Sequence, residues 1–147
     1  MRVEGGFLVS KVHQLSGRVF NRLLRERGIE FNSAQGRILF ALWKQDGVSI
    51  SDLAGETLLS KSTLTSMLDR LEEAGHVRRE PSPGDRRATL IFLTERNRLL
   101  KDNYDRVSEE MADLYYEGFT ADEIAVFEDA LRRILENLLR HNSYHAQ

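Results

Sequence analysis

Apolar positions recur every three to four residues along most of this chain and give way to a strand-like run only between Gly75 and Thr94. The first helical pattern runs from about Phe7 to Arg27. Leu8, Val12, Leu15, Val19 and Leu23 lie on one stripe, widened by Phe20 and Leu24, and Gly28 stops it. Ile29-Glu30-Phe31 is a short connection. Asn32 with Gln35 has the form of a capping box, opening a second helix through Ile38, Leu39, Leu42 and Trp43 as far as Asp46-Gly47. Ser49 and Asp52 repeat that pattern before a short helix whose inner side is Leu53, Ala54 and Leu58.

The next segment organises the rest. Ser60 is placed to cap a helix that ends near Gly75, and Leu64, Met67, Leu68 and Leu71 make one apolar stripe. Ser62, Thr63, Ser66, Asp69, Arg70 and Glu73 are left on the other side. Its first turns present Lys61, Ser62, Thr63, Thr65 and Ser66, small hydroxyl donors and one cation that let a helix enter a DNA groove. For Ser60 and Ser62 helix capping alone is the plainer reading, and it is compatible with phosphate binding. Arg70 is a candidate phosphate contact, with a surface pair to Glu72 or Glu73 as the rival.

After Gly75, His76 to Glu80 has strand character, Pro81-Ser82-Pro83-Gly84 breaks it, and Ala88 to Leu93 resumes. The result is a hairpin wing with Asp85, Arg86 and Arg87 at or beside its tip. An arginine there suits a narrow minor groove, and Asp85 is expected to hold one guanidinium in a two-pronged pairing. The plainer alternative is an idle surface pair. Arg78 and Arg79 are either DNA contacts or solvent-facing residues that discourage edge pairing.

Thr94-Glu95 starts a long helix through Leu99, Leu100, Tyr104, Val107, Met111, Leu114 and Tyr115 to Gly118. Thr120 to Glu123 is a further capping box, opening a last helix with Ile124, Phe127, Leu131, Ile134, Leu135, Leu138 and Leu139. The DNA-binding lobe does not need these helices for its own core. They are expected to pack against the N-terminal helix and a second copy, giving a homodimer; a monomer closing all helices on one core is the alternative. Two recognition helices would then lie about one DNA turn, roughly 34 Å, apart and read a pseudo-palindromic site.

Asp85-x-Arg87 followed by Leu90, Leu93 and Thr94, and preceded by Leu68-Asp69-Arg70-Leu71-Glu72 and Gly75, resembles the winged-helix core of the MarR family of transcription regulators. The resemblance covers nearly the whole chain. It implies a mainly α (α+β) fold: a winged helix-turn-helix lobe over residues 32–94, and a helical dimerisation region over 1–31 and 95–147. It also implies a repressor of double-stranded DNA sites, and a small aromatic or anionic effector bound between the dimer helices and the lobe. His13, Trp43 and Tyr104 are the candidates to line that cleft, although an aromatic at helical spacing more often belongs to a core. The chain departs from the pattern at Asn97, where the family often has glycine; the exchange is expected to cost little.

Composition narrows the classes. With 147 residues, 41% hydrophobic and 30% charged, the chain is expected to fold as one domain or two small coupled ones. No apolar run is long enough to span a bilayer and no signal peptide is evident, so no membrane association and a cytoplasmic location are expected. There is no cysteine, which excludes disulfides and thiol chemistry. No nucleotide-binding glycine loop is present, so neither an enzyme nor a cofactor is expected. His141 and His145 are spaced for one metal, but two ligands make a weak site. The net charge of −2 counts against nucleic-acid binding, since many DNA binders are basic, and keeps open a second reading, a winged-helix module that binds protein. The charge is unevenly placed: Arg2, Lys11, Arg18, Arg22, Arg25, Arg27, Arg37 and Lys44 make the head basic, while the chain beyond Glu95 is acidic. These ends are expected to lie together, basic side chains toward DNA.

Overall fold

In the computed structural model, which describes residues 1–145 and side chains as far as Asn142, the chain is mainly helical with one small antiparallel sheet. The helices are α1 (Gly5–Glu26), α2 (Ser33–Lys44), α3 (Ile50–Thr57), α4 (Lys61–Glu73), α5 (Glu95–Arg98), α6 (Lys101–Tyr115) and α7 (Ala121–His145). The strands are β1 (Val48–Ser49), β2 (Val77–Pro81) and β3 (Thr89–Leu93), in the order β1-β3-β2. Two compact units result, Met1–Met111 and Ala112–Gln147, the boundary falling within α6. Among the described residues no helix is long and apolar enough to cross a membrane.

Helix starts follow the caps. Asn32 and Gln35 form a reciprocal capping box on α2, and Thr120 and Glu123 form one on α7. At α3 the Ser49 hydroxyl accepts the Asp52 N–H at 3.1 Å. Glycines end α1 and α4: Gly28 and Gly75 take left-handed φ values of 70° and 85° that cost a residue with a side chain far more.

The core of the first unit is built from Leu23 and Leu24 of α1, Ile38, Leu39 and Leu42 of α2, Leu53 of α3, and Leu64, Leu68 and Leu71 of α4. Val77, Ile91 and Leu93 of the sheet and Tyr104 and Val107 of α6 complete it. The ends of α1 and α6 therefore help to seat the recognition helix and the wing. Arg27, just past the end of α1, meets Glu110 of α6 at 3.4 Å, one local case of the basic head facing the acidic tail.

Three features depart from the sequence reading, the first being Leu58: expected on the inner side of α3, it takes the left-handed cap position that ends the helix and is more than half exposed. Strand β1 was not foreseen; it pairs Val48 with Ile91 and Ser49 with Leu90. Gly47 permits it, with φ 67° and the Phe92 ring so close that an added Cβ would stand 2.7 Å from it. The long helix expected from Thr94 to Gly118 is also broken in two. The Leu100 N–H bonds to the Asn97 carbonyl three residues back at 2.9 Å, a tightened turn that ends α5 where Asn97 is drawn into the interior.

Candidate nucleic-acid interface

Helix α4 buries its leucine stripe and leaves Lys61, Ser62, Thr63, Thr65, Ser66 and Arg70 exposed. At its start the Ser60 hydroxyl accepts the Thr63 N–H at 3.2 Å and donates to the Thr63 hydroxyl at 2.9 Å, with the Ser62 hydroxyl 3.3 Å away. Capping thus gathers three hydroxyls on a helix N-terminus, where partial positive charge and free N–H groups favour an anion. The preceding turn passes through Leu58, a non-glycine residue at φ 58° and more than half exposed.

The wing is the β2–β3 hairpin, in register from Val77 opposite Leu93 to Pro81 opposite Thr89. At its tip the Asp85 carboxylate accepts the backbone N–H of Arg87 at 2.9 Å, and the Asp85 carbonyl accepts that of Ala88 at 3.1 Å. This corrects the expected pairing of Asp85 with a guanidinium: a carboxylate two residues before an N–H closes a local turn more readily than it immobilises a long arginine. Asp85, Arg86 and Arg87 are all exposed, and among the described residues neither guanidinium has a hydrogen-bond or ion-pair partner. Arg70 is equally free, and its rival pairing with Glu72 or Glu73 does not form.

Arg78 and Arg79 separate. Arg78 lies over the Phe92 ring, 4.7 Å from its centre, and pairs with Glu80 at 3.3 Å. Arg79 turns inward to Asp69 of α4 at 2.8 Å and donates to the Thr65 carbonyl at 3.3 Å. Its backbone N–H is held by Glu72 at 3.2 Å. Arg79 therefore ties the wing to the recognition helix, a role the linear sequence gives no sign of. The acids Asp69 and Glu72 on that helix are thereby occupied.

Of the proposed effector residues Trp43 and Tyr104 meet, but the three do not line one cavity. His13 is exposed on α1. Trp43 is half-buried, its indole N–H on Asn97 at 3.0 Å and its ring 4.8 Å from that of Tyr104. Tyr104 alone lines a cavity of about 450 Å³, shared with Arg37, Phe40, Glu56, Thr57 and Ser108. Burial pushes the Tyr104 hydroxyl above its ordinary pKa, opposed by a hydrogen bond with Ser108 and the charge of Arg37. Of the His141 and His145 pair, the His145 side chain lies outside the described residues.

The helix-turn-helix and wing just described have counterparts in known proteins. The MarR family profile matches residues 31–89. The regulator TtmR of Methylorubrum extorquens is 33% identical over 90% of this chain, which spans 66% of that relative's length. YsmB of Bacillus subtilis, an uncharacterized HTH-type transcriptional regulator, is 32% identical over 67% of this chain and 68% of its own length. A crystal structure of a mutant MarR from E. coli complexed with operator DNA is 28% identical and superposes with a TM-score of 0.82, covering 88% of this chain and 92% of that one. Relatives of this identity and coverage, with the matching profile and fold, establish the lineage: the chain belongs to the MarR family and is a winged-helix, DNA-binding transcriptional regulator rather than an enzyme.

Proposed function

We propose that the protein is a cytoplasmic repressor that binds a pseudo-palindromic operator as a homodimer. In this reading α4 enters the major groove and the wing arginines reach the adjacent minor groove. The observation that carries the reading is the set of unengaged cations, Arg70, Arg86 and Arg87, with Lys61 and the hydroxyl cluster around Ser60, all exposed on one unit. Unpaired guanidinium groups suit phosphate and groove binding because no internal bond has to break first. The MarR structure solved with operator DNA supports the same assignment for this chain. The alternative, a winged helix specialised for a protein partner, loses two of the acids that would suit such a surface, since Arg79 engages Asp69 and Glu72.

Dimerisation is supported by apolar surface left exposed within each unit. On α1 Phe7 is 68% exposed, and Leu8, Val12 and Leu15 are also exposed; on α7 Val126, Ile134 and Leu138 are. Helical stripes of this kind need a cover. Residues 1–31 and 95–147 are accordingly assigned to the dimerisation region and 32–94 to the DNA-binding lobe.

For an effector, the cavity beside Tyr104 is the better candidate than the full trio of His13, Trp43 and Tyr104. It offers Arg37 and Glu56, of opposite charge, with the aromatic side chains of Phe40 and Tyr104, a setting for a small aromatic ligand with a polar group. Such a ligand releases DNA only by preferring the conformation that DNA does not. Selection from a pool of random duplexes tests the reading: an enriched pseudo-palindrome with half-sites about one turn apart is expected. No enrichment, or a protein that sediments only as monomer, would contradict it.

A further inference from the structure

Three side chains from three parts of the chain meet in a buried polar relay beneath the wing. Asn97 is fully buried and His76 is 1% exposed. The Trp43 indole N–H donates to Asn97 Oδ1 at 3.0 Å. An indole nitrogen can only donate, so the amide oxygen of Asn97 must face Trp43. Its Nδ2 therefore faces His76 Nδ1, 3.0 Å away, and donates to it. His76 Nδ1 is then an acceptor, and the ring proton sits on Nε2. The geometry of one donor-only partner thus fixes the amide orientation and, through it, the tautomer.

The charged groups around the ring are Glu30 and Arg96. Glu30 Oε2 lies 4.0 Å from His76 Nε2, but Arg96 Nη2 holds that same oxygen at 2.7 Å, and Nε2 itself has no hydrogen-bond partner. Arg96 also donates to the Ala74 carbonyl. The Phe31 ring stands edge-on to the imidazole, 5.3 Å between centres. Burial foremost, then Arg96, lower the pKa of His76 against an upward pull from Glu30.

His76 occupies a junction. Its N–H bonds to the Leu71 carbonyl of α4 at 2.8 Å, and its carbonyl accepts the N–H of Thr94, next to the end of β3, at 3.1 Å. One residue thus joins the recognition helix to both strands of the wing, and Asn97 and Trp43 tie that junction to α5 and α2. A proton on Nδ1 would set N–H against N–H. Turning the Asn97 amide over would relieve that contact only by facing Trp43 with a second donor. Either way one buried hydrogen bond is lost.

We propose that His76 and Asn97 are positioning residues for operator binding: the relay from Trp43 through Asn97 to Nε2-protonated His76 holds the recognition helix and wing in one setting, and protonation of His76 releases it. The proposal rests on the operator-binding reading above, but its first test needs no DNA. Nitrogen-15 NMR of the histidines in the full chain, across about pH 5 to 8, is expected to give the Nε2–H tautomer for His76 and a midpoint below about 6.5. The Nδ1–H tautomer would overturn the relay.

H76Q supplies an amide oxygen that accepts from Asn97 and does not titrate. It is expected to bind operator within about threefold of wild type at neutral pH and to stay level on acidification, while wild type weakens by about tenfold for each pH unit below the midpoint read by NMR. Parallel pH profiles for the two proteins would overturn the proposal. N97D puts a carboxylate against Nδ1 and is expected to raise the His76 midpoint above that of wild type; an unmoved midpoint would overturn the relay. Failure of every protein in the series to bind duplex selectively would instead overturn the operator reading, leaving the tautomer to decide the relay.

Discussion

Replacing Arg79 with alanine should destabilise the first unit by about 1–2 kcal/mol, an amount assembled from four contributions. The pair with Asp69 at 2.8 Å joins a group 24% exposed to one 61% exposed, so it is screened and contributes roughly 0.5–1 kcal/mol. The bond to the Thr65 carbonyl at 3.3 Å is long and adds about 0.5–1 kcal/mol. The covered part of the aliphatic stem adds about 0.8 kcal/mol for each methylene fully buried. Against these, Arg79 Nε is buried without a partner, and its removal returns about 1 kcal/mol. The Glu72 bond to the backbone N–H survives the substitution. Urea unfolding of the wild type, R79A, D69A and the double variant would isolate the pair, with an expected coupling of about 0.5–1 kcal/mol. A loss below about 0.5 kcal/mol for R79A would refute the claim that this side chain fastens the wing to α4.

Two further outcomes separate folding from binding. Leu58 holds a left-handed conformation with its side chain more than half in solvent, so Leu58→Gly should raise stability by about 0.5–1 kcal/mol in thermal or urea melts, the relief of strain exceeding the added chain entropy. A loss would mean that Leu58 packs more than its exposure suggests. Ser60→Ala should cost about 1 kcal/mol of stability by removing the cap on Thr63 N–H. Ser60→Asp keeps a capping oxygen but adds an anion at the DNA face, so it should fold as well as wild type and bind operator poorly; tight binding by that variant would remove the α4 N-terminus from the interface.

Much of this architecture was legible because local chemistry marks it. Asn32 with Gln35, Ser49, Ser60 and Thr120 each proved to cap the helix that the sequence pattern opened. The leucines of α4 face the core as their spacing required, and its hydroxyls face out. What escaped depends on partners distant in sequence. Strand β1 has two residues, too few to show a period, and exists because β3 lies beside it. Nothing local distinguishes Arg78, stacked on Phe92, from Arg79, turned toward Asp69. Asn97 did leave a signal: it sits at helical spacing from Leu100, Tyr104 and Val107, where a polar side chain needs a buried partner, and Trp43 and His76 supply it. What the sequence reading did not foresee is that Asn97, at this departure from the family pattern, makes two side-chain hydrogen bonds in the interior.

The central claim is that free wing and helix cations bind DNA, and a duplex titration tests it most directly. Wild type and Arg87→Ala would be titrated against the selected operator and an unrelated duplex at several salt concentrations. With about eight phosphates neutralised by a dimer, the logarithm of affinity should fall against the logarithm of salt with a slope of about −7. Arg87→Ala should lose about 1–3 kcal/mol of operator binding with its unfolding transition unchanged, because among the described residues its guanidinium has no hydrogen-bond or ion-pair partner. Salt-independent binding, or an Arg87→Ala variant that holds the operator as tightly as wild type, would contradict the account.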